Sequence, residues 1–313
     1  MDMRTPGGII GAVLRFLFTI ILAVLISCLF MNRTLELSGI PQVQSMYHEL
    51  TEKVARTEED LKNTTNILRA HADSETTKPE ASEITADNIL LGKKIVYAGD
   101  SISGSRESNG GGYPALIAAR SGCVYENFAH GGARLCSSRD NPSVVDTLAD
   151  LPSDGDLYCF QGGINDFWGN TPLGDVIPND YSGTYDTNTI CGALETIFTY
   201  CLENFPGKPV CFVITHKVQN TATAANANGD TFADYREAMI RVCHKYSIPY
   251  YDAFNESGLN GWNQTQSELY LTGNSGNTPD GIHPNAEGYA RYYVPQLIDL
   301  FRKIMPVAVE PQA

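Results

Sequence analysis

Short apolar, β-branched runs alternate with longer amphipathic stretches from about residue 90 onward. Short apolar runs bounded by turn residues predict buried strands, and their alternation with helical stretches predicts a parallel sheet with crossover helices. The strand candidates are Lys94–Ala98, Val124–Phe128, Leu157–Phe160, Val210–Thr215 and Pro249–Asp252. The helix candidates are Pro114–Arg120, Ile190–Asn204, Ala233–Tyr246 and Ala286–Ile304. The pattern predicts one α/β domain over residues 90–306, followed by a short tail at 307–313.

The N-terminal part of the chain has a different pattern. Ile9–Met31 is apolar apart from Arg15, and its length fits the roughly 20 residues that cross a bilayer, so residues 1–33 are predicted to be a single-pass membrane anchor. Arg4 and Arg15 lie at its N-terminal side, which favours a cytoplasmic N terminus and a domain outside the cytoplasm. A cleaved signal peptide and a lipoprotein signal ending at Cys28 are the alternatives, and each also exports the domain.

Residues 34–71 carry apolar or near-neutral residues at alternating steps of four and three, from Val43 to Leu68. This weak heptad pattern predicts a helical stalk, either a coiled coil that forms a homodimer or an amphipathic helix that lies on the domain. Residues 72–89 are rich in Ser, Thr, Glu and Pro and poor in large apolar residues, which is typical of a flexible linker.

Charge and cysteine content narrow the classes of partner and site. The 36 acidic and 22 basic residues give a net charge of −14, which disfavours nucleic acid as a partner because phosphate binding relies on clustered Lys and Arg. Eight cysteines occur without a Cys-x-x-Cys pair, so a structural zinc site is not expected. Cys159 and Cys211 fall in apolar strand runs and are predicted to be small buried hydrophobes, whereas pairing of the other domain cysteines is left open.

Residue types that carry chemistry follow the first three predicted strands and precede the last helix. In an open parallel sheet, ligands bind beyond the carboxyl ends of the strands, so these loops are expected to lie together. Each one alone also fits an ordinary turn or helix cap. The four blocks are Gly99-Asp100-Ser101, Asn127-x-Ala129-x-x-Gly132, Gly163-x-Asn165-Asp166 and Asp280-x-x-His283.

In combination, these four blocks resemble the SGNH hydrolases, also called GDSL-like lipases and acylhydrolases, with Ile102 where the family name has Leu. The resemblance implies a flavodoxin-like, three-layer α/β/α sandwich with a five-stranded parallel sheet. It implies that Ser101 is the nucleophile and that His283, paired with Asp280, acts as base and then as acid. The backbone N–H groups of Ser101 and Gly132 and the side chain of Asn165 are the implied oxyanion donors. No metal or organic cofactor is needed.

Five further residues adjoin these blocks or follow a strand and are candidate substrate contacts. His130 and His216 have no aspartate three residues earlier, so they are ranked as contacts or structural residues rather than as the base. Phe167 and Trp168 offer a flat apolar wall for a sugar or an acyl group, or they pack under the loop. The candidates are Asp100, His130, Phe167, Trp168 and His216. The Asp-rich segment Asp175–Asp186 is predicted to be a long surface loop.

The first functional hypothesis is a membrane-anchored serine esterase that hydrolyses small acyl esters, acetyl groups above all, on carbohydrate outside the cytoplasm. A polysaccharide O-acetyltransferase with the same acyl-serine intermediate is one alternative, and a lysophospholipase is another. A non-catalytic glycan-binding module is the third alternative. It predicts at least one altered triad or oxyanion position, whereas all of these positions carry the expected residue.

Overall fold

The computed structural model of the chain describes Thr51 and residues 89–104, 112–137, 142–219, 221, 224–273 and 278–306. The predicted anchor and tail, the stalk apart from Thr51 and the linker apart from Ile89 lie outside these residues and stay predictions. Within the described ranges, no helix has both the length and the apolar character that a membrane span requires.

Five parallel strands form one sheet in the order β2-β1-β3-β4-β5. The strands are β1 Lys94–Ala98, β2 Val124–Asn127, β3 Leu157–Gly162, β4 Val210–Ile214 and β5 Tyr250–Asp252. The five predicted strands are therefore confirmed, with some ends shifted by one or two residues. Every residue of β3 and β4 is buried, as expected for parallel strands that are covered on both faces.

Helices cover both faces of the sheet. In chain order the helices of the described residues are α1 Ser101–Gly104, α2 Gly112–Ser121, α3 Ile164–Trp168, α4 Ile190–Asn204, α5 Phe232–Tyr246, α6 Ala253–Glu256, α7 Gln264–Tyr270, α8 Ala286–Tyr292 and α9 Val294–Ile304, with a 3₁₀ turn at Val145–Asp150. Apolar residues of α4 and α5 form one core with one face of the sheet. Those of α2, α8 and α9 form a second core on the opposite face, which gives the expected three layers.

The prediction of one C-terminal helix over Ala286–Ile304 was wrong in one respect, because this segment forms two helices, α8 and α9, divided at Tyr293. Pro295 lies in the first turn of α9, where its missing N–H costs nothing, but it cannot continue a preceding helix. The break leaves the ring of Tyr293 completely buried.

Side-chain caps explain where two of the helices, α5 and α8, begin. Thr231 and Asp234 form a reciprocal capping box at the start of α5. Asn285 accepts a hydrogen bond from the N–H of Gly288 at 2.9 Å and so caps α8. Its amide nitrogen also donates to the carbonyl of Leu269 at 2.9 Å. The loop that ends at His283 is therefore anchored immediately after the histidine.

The cysteines of the described ranges are all buried and unpaired. Cys159 and Cys211 face each other across β3 and β4, as small apolar residues of the core. The pairing that was left open for the other domain cysteines does not occur among them. The seven are Cys123, Cys136, Cys159, Cys191, Cys201, Cys211 and Cys243.

Candidate active site

Ser101, His283 and Asp280 form a continuous chain of hydrogen bonds at the carboxyl edge of the sheet. Ser101 is the first residue of α1, just beyond β1, and its Oγ lies 2.9 Å from His283 Nε2. His283 Nδ1 lies 2.7 Å from Asp280 Oδ2. In this arrangement an imidazole can take the serine proton while the carboxylate holds the required tautomer.

Asp280 is itself fixed by its own loop. Its Oδ1 accepts hydrogen bonds from the backbone N–H groups of Ile282 at 2.8 Å and His283 at 2.9 Å. Partial burial works against its charge, but the hydrogen bonds from the His283 ring and from these two N–H groups outweigh it and lower the pKa of the carboxyl. Asp280 is therefore an anion held in a defined orientation toward the imidazole.

Gly132 lies in a tight turn that follows β2. The N–H of Ala133 donates to the carbonyl of His130 at 3.1 Å and closes the turn. Gly132 has φ +77°, a left-handed conformation that glycine adopts without the Cβ clash of other residues. The N–H of His130 donates to the carbonyl of Gly99 at 3.0 Å, which joins the turn to the end of β1. The turn uses the N–H of Ala133, so that of Gly132 is not needed to close it.

Asn165 points its side chain toward the same turn. Its Nδ2 donates to the carbonyl of Ala133 at 2.9 Å. Because an amide nitrogen carries two hydrogens, this bond orients the group and leaves the second hydrogen for another acceptor. The backbone N–H of Ser101 belongs to the first turn of α1, where N–H groups have no partner inside the helix. These donors match the set that an oxyanion hole requires.

Asp166 clamps α3 to the segment that follows Gly132. Its carboxylate accepts hydrogen bonds from the N–H of Leu135 at 2.9 Å and the N–H of Cys136 at 3.2 Å. Complete burial raises the pKa of Asp166, although these hydrogen bonds oppose the shift. Asp166 belongs to the third motif block, but no role was predicted for it from the sequence. The structure shows that it holds two of the four blocks together.

Gln161 was missed by the sequence analysis and lies directly under the nucleophile turn. Its Oε1 accepts hydrogen bonds from Ser103 Oγ at 2.7 Å and from the N–H of Asp100 at 3.3 Å. Its Nε2 donates to Thr215 Oγ1 at 2.9 Å. Gln161 is completely buried and joins the ends of β1, β3 and β4. The sequence signal that could have identified Gln161 is a lone amide at the end of the apolar run of β3.

The five candidate substrate contacts divide into buried and accessible residues. Asp100, Phe167 and His216 are buried and present no surface to a substrate in this conformation. Phe167 instead packs edge-on against Phe232 and Tyr235. His130 is half-buried and Trp168 is 42% exposed, so these two keep surface near the Gly132 turn and α3.

Burial disfavours the charged forms of Asp100 and His216. Burial raises the pKa of Asp100 to about 7, against the opposing hydrogen bond from the N–H of Ile102 at 2.9 Å. Burial lowers the pKa of His216 to about 3, and its Nδ1 lies 2.7 Å from the hydroxyl of Tyr293. Each of these side chains supports the site from within the core.

The GDSL-like Lipase/Acylhydrolase family matches residues 97–291, from β1 to α8, a region that contains the reactive residues of all four blocks. No curated protein matches the chain. Among solved structures, one crystal structure is 28% identical with a TM-score of 0.60 and covers 69% of this chain and 100% of its own. A protein from Lactobacillus plantarum is 22% identical, with a TM-score of 0.58 and coverage of 68% and 98%. A possible lipase from Chitinophaga pinensis DSM 2588 is 17% identical, with a TM-score of 0.49 and coverage of 67% and 98%.

Proposed function

Because the chain belongs to the GDSL-like lipase/acylhydrolase family, whose members hydrolyse or transfer acyl esters, we propose that it is a serine esterase acting on small acyl esters. The observation that carries the proposal is the hydrogen-bonded chain from Ser101 through His283 to Asp280, with separations of 2.9 and 2.7 Å. A serine hydroxyl is a weak nucleophile until an adjacent base accepts its proton, and this chain supplies that base.

In the first half of the reaction, Ser101 Oγ attacks the ester carbonyl carbon while His283 Nε2 accepts the hydroxyl proton. The new C–O bond converts the carbonyl oxygen into an oxyanion. Asp280 stabilises the imidazolium that forms. His283 then gives its proton to the departing alkoxide, the bond to the alcohol breaks, and the acyl group stays on Ser101.

In the second half, His283 accepts a proton from water as the water oxygen attacks the acyl-serine. The bond between Ser101 Oγ and the acyl carbon breaks, the serine regains its proton, and a carboxylic acid is released. In both halves the N–H groups of Ser101 and Gly132 and Asn165 Nδ2 are the proposed donors to the negative oxygen.

The proposed substrates are acetyl esters of carbohydrates outside the cytoplasm. Trp168 supports a carbohydrate partner, since it is 42% exposed three residues after Asn165 and an indole face packs well against a sugar ring. The apolar segment Ile9–Met31 supports the location, because each of its interpretations exports the domain.

The test is the rate of hydrolysis of 4-nitrophenyl acetate, butyrate and octanoate by the full-length protein and its Ser101→Ala variant. We expect the acetate to be the best substrate and the variant to lose at least about 10⁴-fold in kcat. Ser121→Ala is the matched control, because that hydroxyl donates to the carbonyl of Ile117 on α2 and bonds no residue of the proposed triad, and it should keep full activity.

A folded protein without Ser101-dependent turnover at any chain length contradicts the esterase proposal. Mass spectrometry of the protein after mixing with the acetate distinguishes the transferase alternative. An acetylated Ser101 that persists in water and is discharged by an added sugar would identify transfer rather than hydrolysis.

A further inference from the structure

Arg134 is a half-buried cation that the proposed mechanism does not use. It follows Gly132 by two residues, and its Nε is buried with no hydrogen-bond partner among the described residues. By contrast, Arg236 is paired with Asp252 and Lys245 with Glu195. A partly desolvated charge without a partner costs free energy. Binding of an anion would therefore stabilise the Arg134 guanidinium.

The backbone around Arg134 is fixed along α3. Asn165 holds the carbonyl of Ala133, and Asp166 holds the N–H groups of Leu135 and Cys136. The Leu135 side chain points to the sheet, where it lies 2.8 Å from the position that a Cβ on Gly162 would occupy. The backbone of Arg134 forms a bridge with Ser143, and in an extended chain neighbouring side chains point to opposite sides, so that of Arg134 points away from that of Leu135.

The guanidinium lies against Gly169, immediately after α3. A Cβ at position 169 would lie 2.3 Å from Arg134 Cζ, so a larger residue there would displace the guanidinium from this position. Gly169 follows Asn165 by four residues, which corresponds to about 6 Å along a helix. The N–H of Gly169 donates to the carbonyl of Asn165 at 2.9 Å, so the guanidinium lies beside the helical turn that begins at Asn165, whose amide is proposed to bind the oxyanion.

The charge of Arg134 acts on the carboxylate of Asp166, but the two side chains share no hydrogen bond in the described ranges. The charge of Arg134 lowers the pKa of Asp166, yet burial has the larger, opposite effect. The Asp166 carboxylate accepts hydrogen bonds from the backbone N–H groups of Leu135 and Cys136 and from the Cys136 thiol, and not from the guanidinium. The planar N–H groups of Arg134 are thus available to a second anion.

We propose that Arg134 forms an anion subsite that selects esters carrying a carboxylate a few bonds from the scissile carbonyl. This inference rests on the proposed esterase function. The five N–H donors of a guanidinium match the two oxygens of a carboxylate. With a net charge of −14 the protein repels diffuse anions, so the selection comes from the local contact.

The experiment uses two pairs of esters that differ only in charge, with the full-length protein. On the acyl side the pair is 4-nitrophenyl hydrogen glutarate and its methyl ester, and on the alcohol side it is 4-acetoxybenzoate and its methyl ester. The readout is the ratio of kcat/KM for the charged ester to that for the neutral ester. It is measured for the wild type, Arg134→Gln and Arg134→Lys, with Arg120→Gln as control, since it removes an equal charge from an exposed position on α2.

We expect Arg134→Gln to lower this ratio roughly 10- to 100-fold in at least one pair, Arg134→Lys to keep part of it, and Arg120→Gln to leave it unchanged. The pair that responds shows whether the anion lies on the acyl or the alcohol side. Equal ratios in the wild type and Arg134→Gln for both pairs overturn the proposal, and so do equal losses on charged and neutral esters, which would mean that Arg134 only supports Asp166.

Failure of the esterase function itself is recognised separately, because the wild type then hydrolyses neither ester of a pair. In that case calorimetric titration with glutarate decides. Binding to the wild type that is lost in Arg134→Gln upholds the anion subsite, whereas equal binding, or none to the wild type, overturns it.

Discussion

Two pairs of an aspartate and a histidine lie at the carboxyl edge of the sheet, and they differ in burial and in the direction of the pKa shift of the aspartate. Asp280 and His283 are 23% and 15% exposed in their side chains and bond each other and Ser101. Asp100 and His216 are completely buried below them. The pKa of Asp280 is lowered, while that of Asp100 is raised to about 7 and that of His216 is lowered to about 3. Asp280 and His283 are suited to move protons, whereas burial disfavours the charged forms of Asp100 and His216.

Solvent access and the number of hydrogen-bond donors together decide the difference. Asp280 accepts from two backbone N–H groups and the imidazole at a partly solvated position, which is enough to outweigh desolvation. Asp100 is fully desolvated, and desolvation dominates there despite the N–H of Ile102. Residue type alone therefore does not identify an acid or a base; solvent access and donors do.

The largest effect that tests this comparison is expected from Asp280→Asn. The amide keeps an acceptor for the backbone N–H groups but cannot stabilise an imidazolium and favours the wrong imidazole tautomer. We expect kcat for 4-nitrophenyl acetate to fall about 10³–10⁴-fold, by analogy with serine proteases, with little change in thermal stability. Asp154→Asn, at an aspartate exposed on the surface and paired with Lys94, is the control. A loss of less than tenfold would mean that Asp280 is not the partner of His283.

Removal of the acceptor beneath the nucleophile is expected to affect stability most. Gln161→Leu leaves the N–H of Asp100 and the hydroxyls of Ser103 and Thr215 short of partners in the core. At about 1–3 kcal/mol for each unsatisfied group, the free energy of unfolding in urea should fall by about 3–6 kcal/mol. We expect kcat to fall with little change in KM, because the turn that carries Ser101 loses its support.

Gln161→Glu distinguishes the acceptor from the mere volume of the side chain. It keeps the oxygen that Asp100 and Ser103 bond, so its stability should recover at pH 5, where a buried carboxyl is protonated, and fall again at pH 8. Equal stability of Gln161→Leu and the wild type, or no pH dependence in Gln161→Glu, would contradict this account of the network.

The strands and the four motif blocks could be predicted from sequence because each depends on a local pattern. Buried strands appear as apolar runs, and the reactive residues directly follow strands or precede a helix, so the rule for parallel sheets places them at one edge. Ser101 and His283 lie 182 positions apart, and the motif order was enough to expect their meeting. Their roles in catalysis stay predictions until the variants are measured.

Gln161, Arg134 and the burial of Asp100 depend instead on which elements are neighbours. Gln161 has a role because β3 lies between β1 and β4, and strand order is not visible along the chain. The stack of Arg134 on Gly169 needs the contact between two loops. The last helix is divided at Tyr293 because of a single proline, Pro295. The prediction missed the division because the amphipathic pattern is otherwise continuous across this proline.

The smallest expected effect concerns the pH dependence of stability through Asp100. Its pKa is about 7 in the folded protein against an ordinary 3.8. Below about pH 4 both states hold the proton, so there is no difference. Between pH 4 and 7 the unfolded chain ionises while the folded protein keeps its proton, so folding loses stability as the pH rises. Asp100→Asn removes this penalty and keeps an oxygen for the N–H of Ile102.

The free energy of unfolding of Asp100→Asn should therefore match that of the wild type at pH 4 and exceed it by about 2–4 kcal/mol at pH 8. Urea titrations at pH 4, 6 and 8 measure this gap. His216 provides an internal check. Because its pKa is lowered, both proteins lose stability as the pH falls from 6.5 toward 3. This loss should be equal in the wild type and in Asp100→Asn. A gap that is constant with pH would mean that Asp100 is ionised in the folded protein, and the contrast with Asp280 would fail.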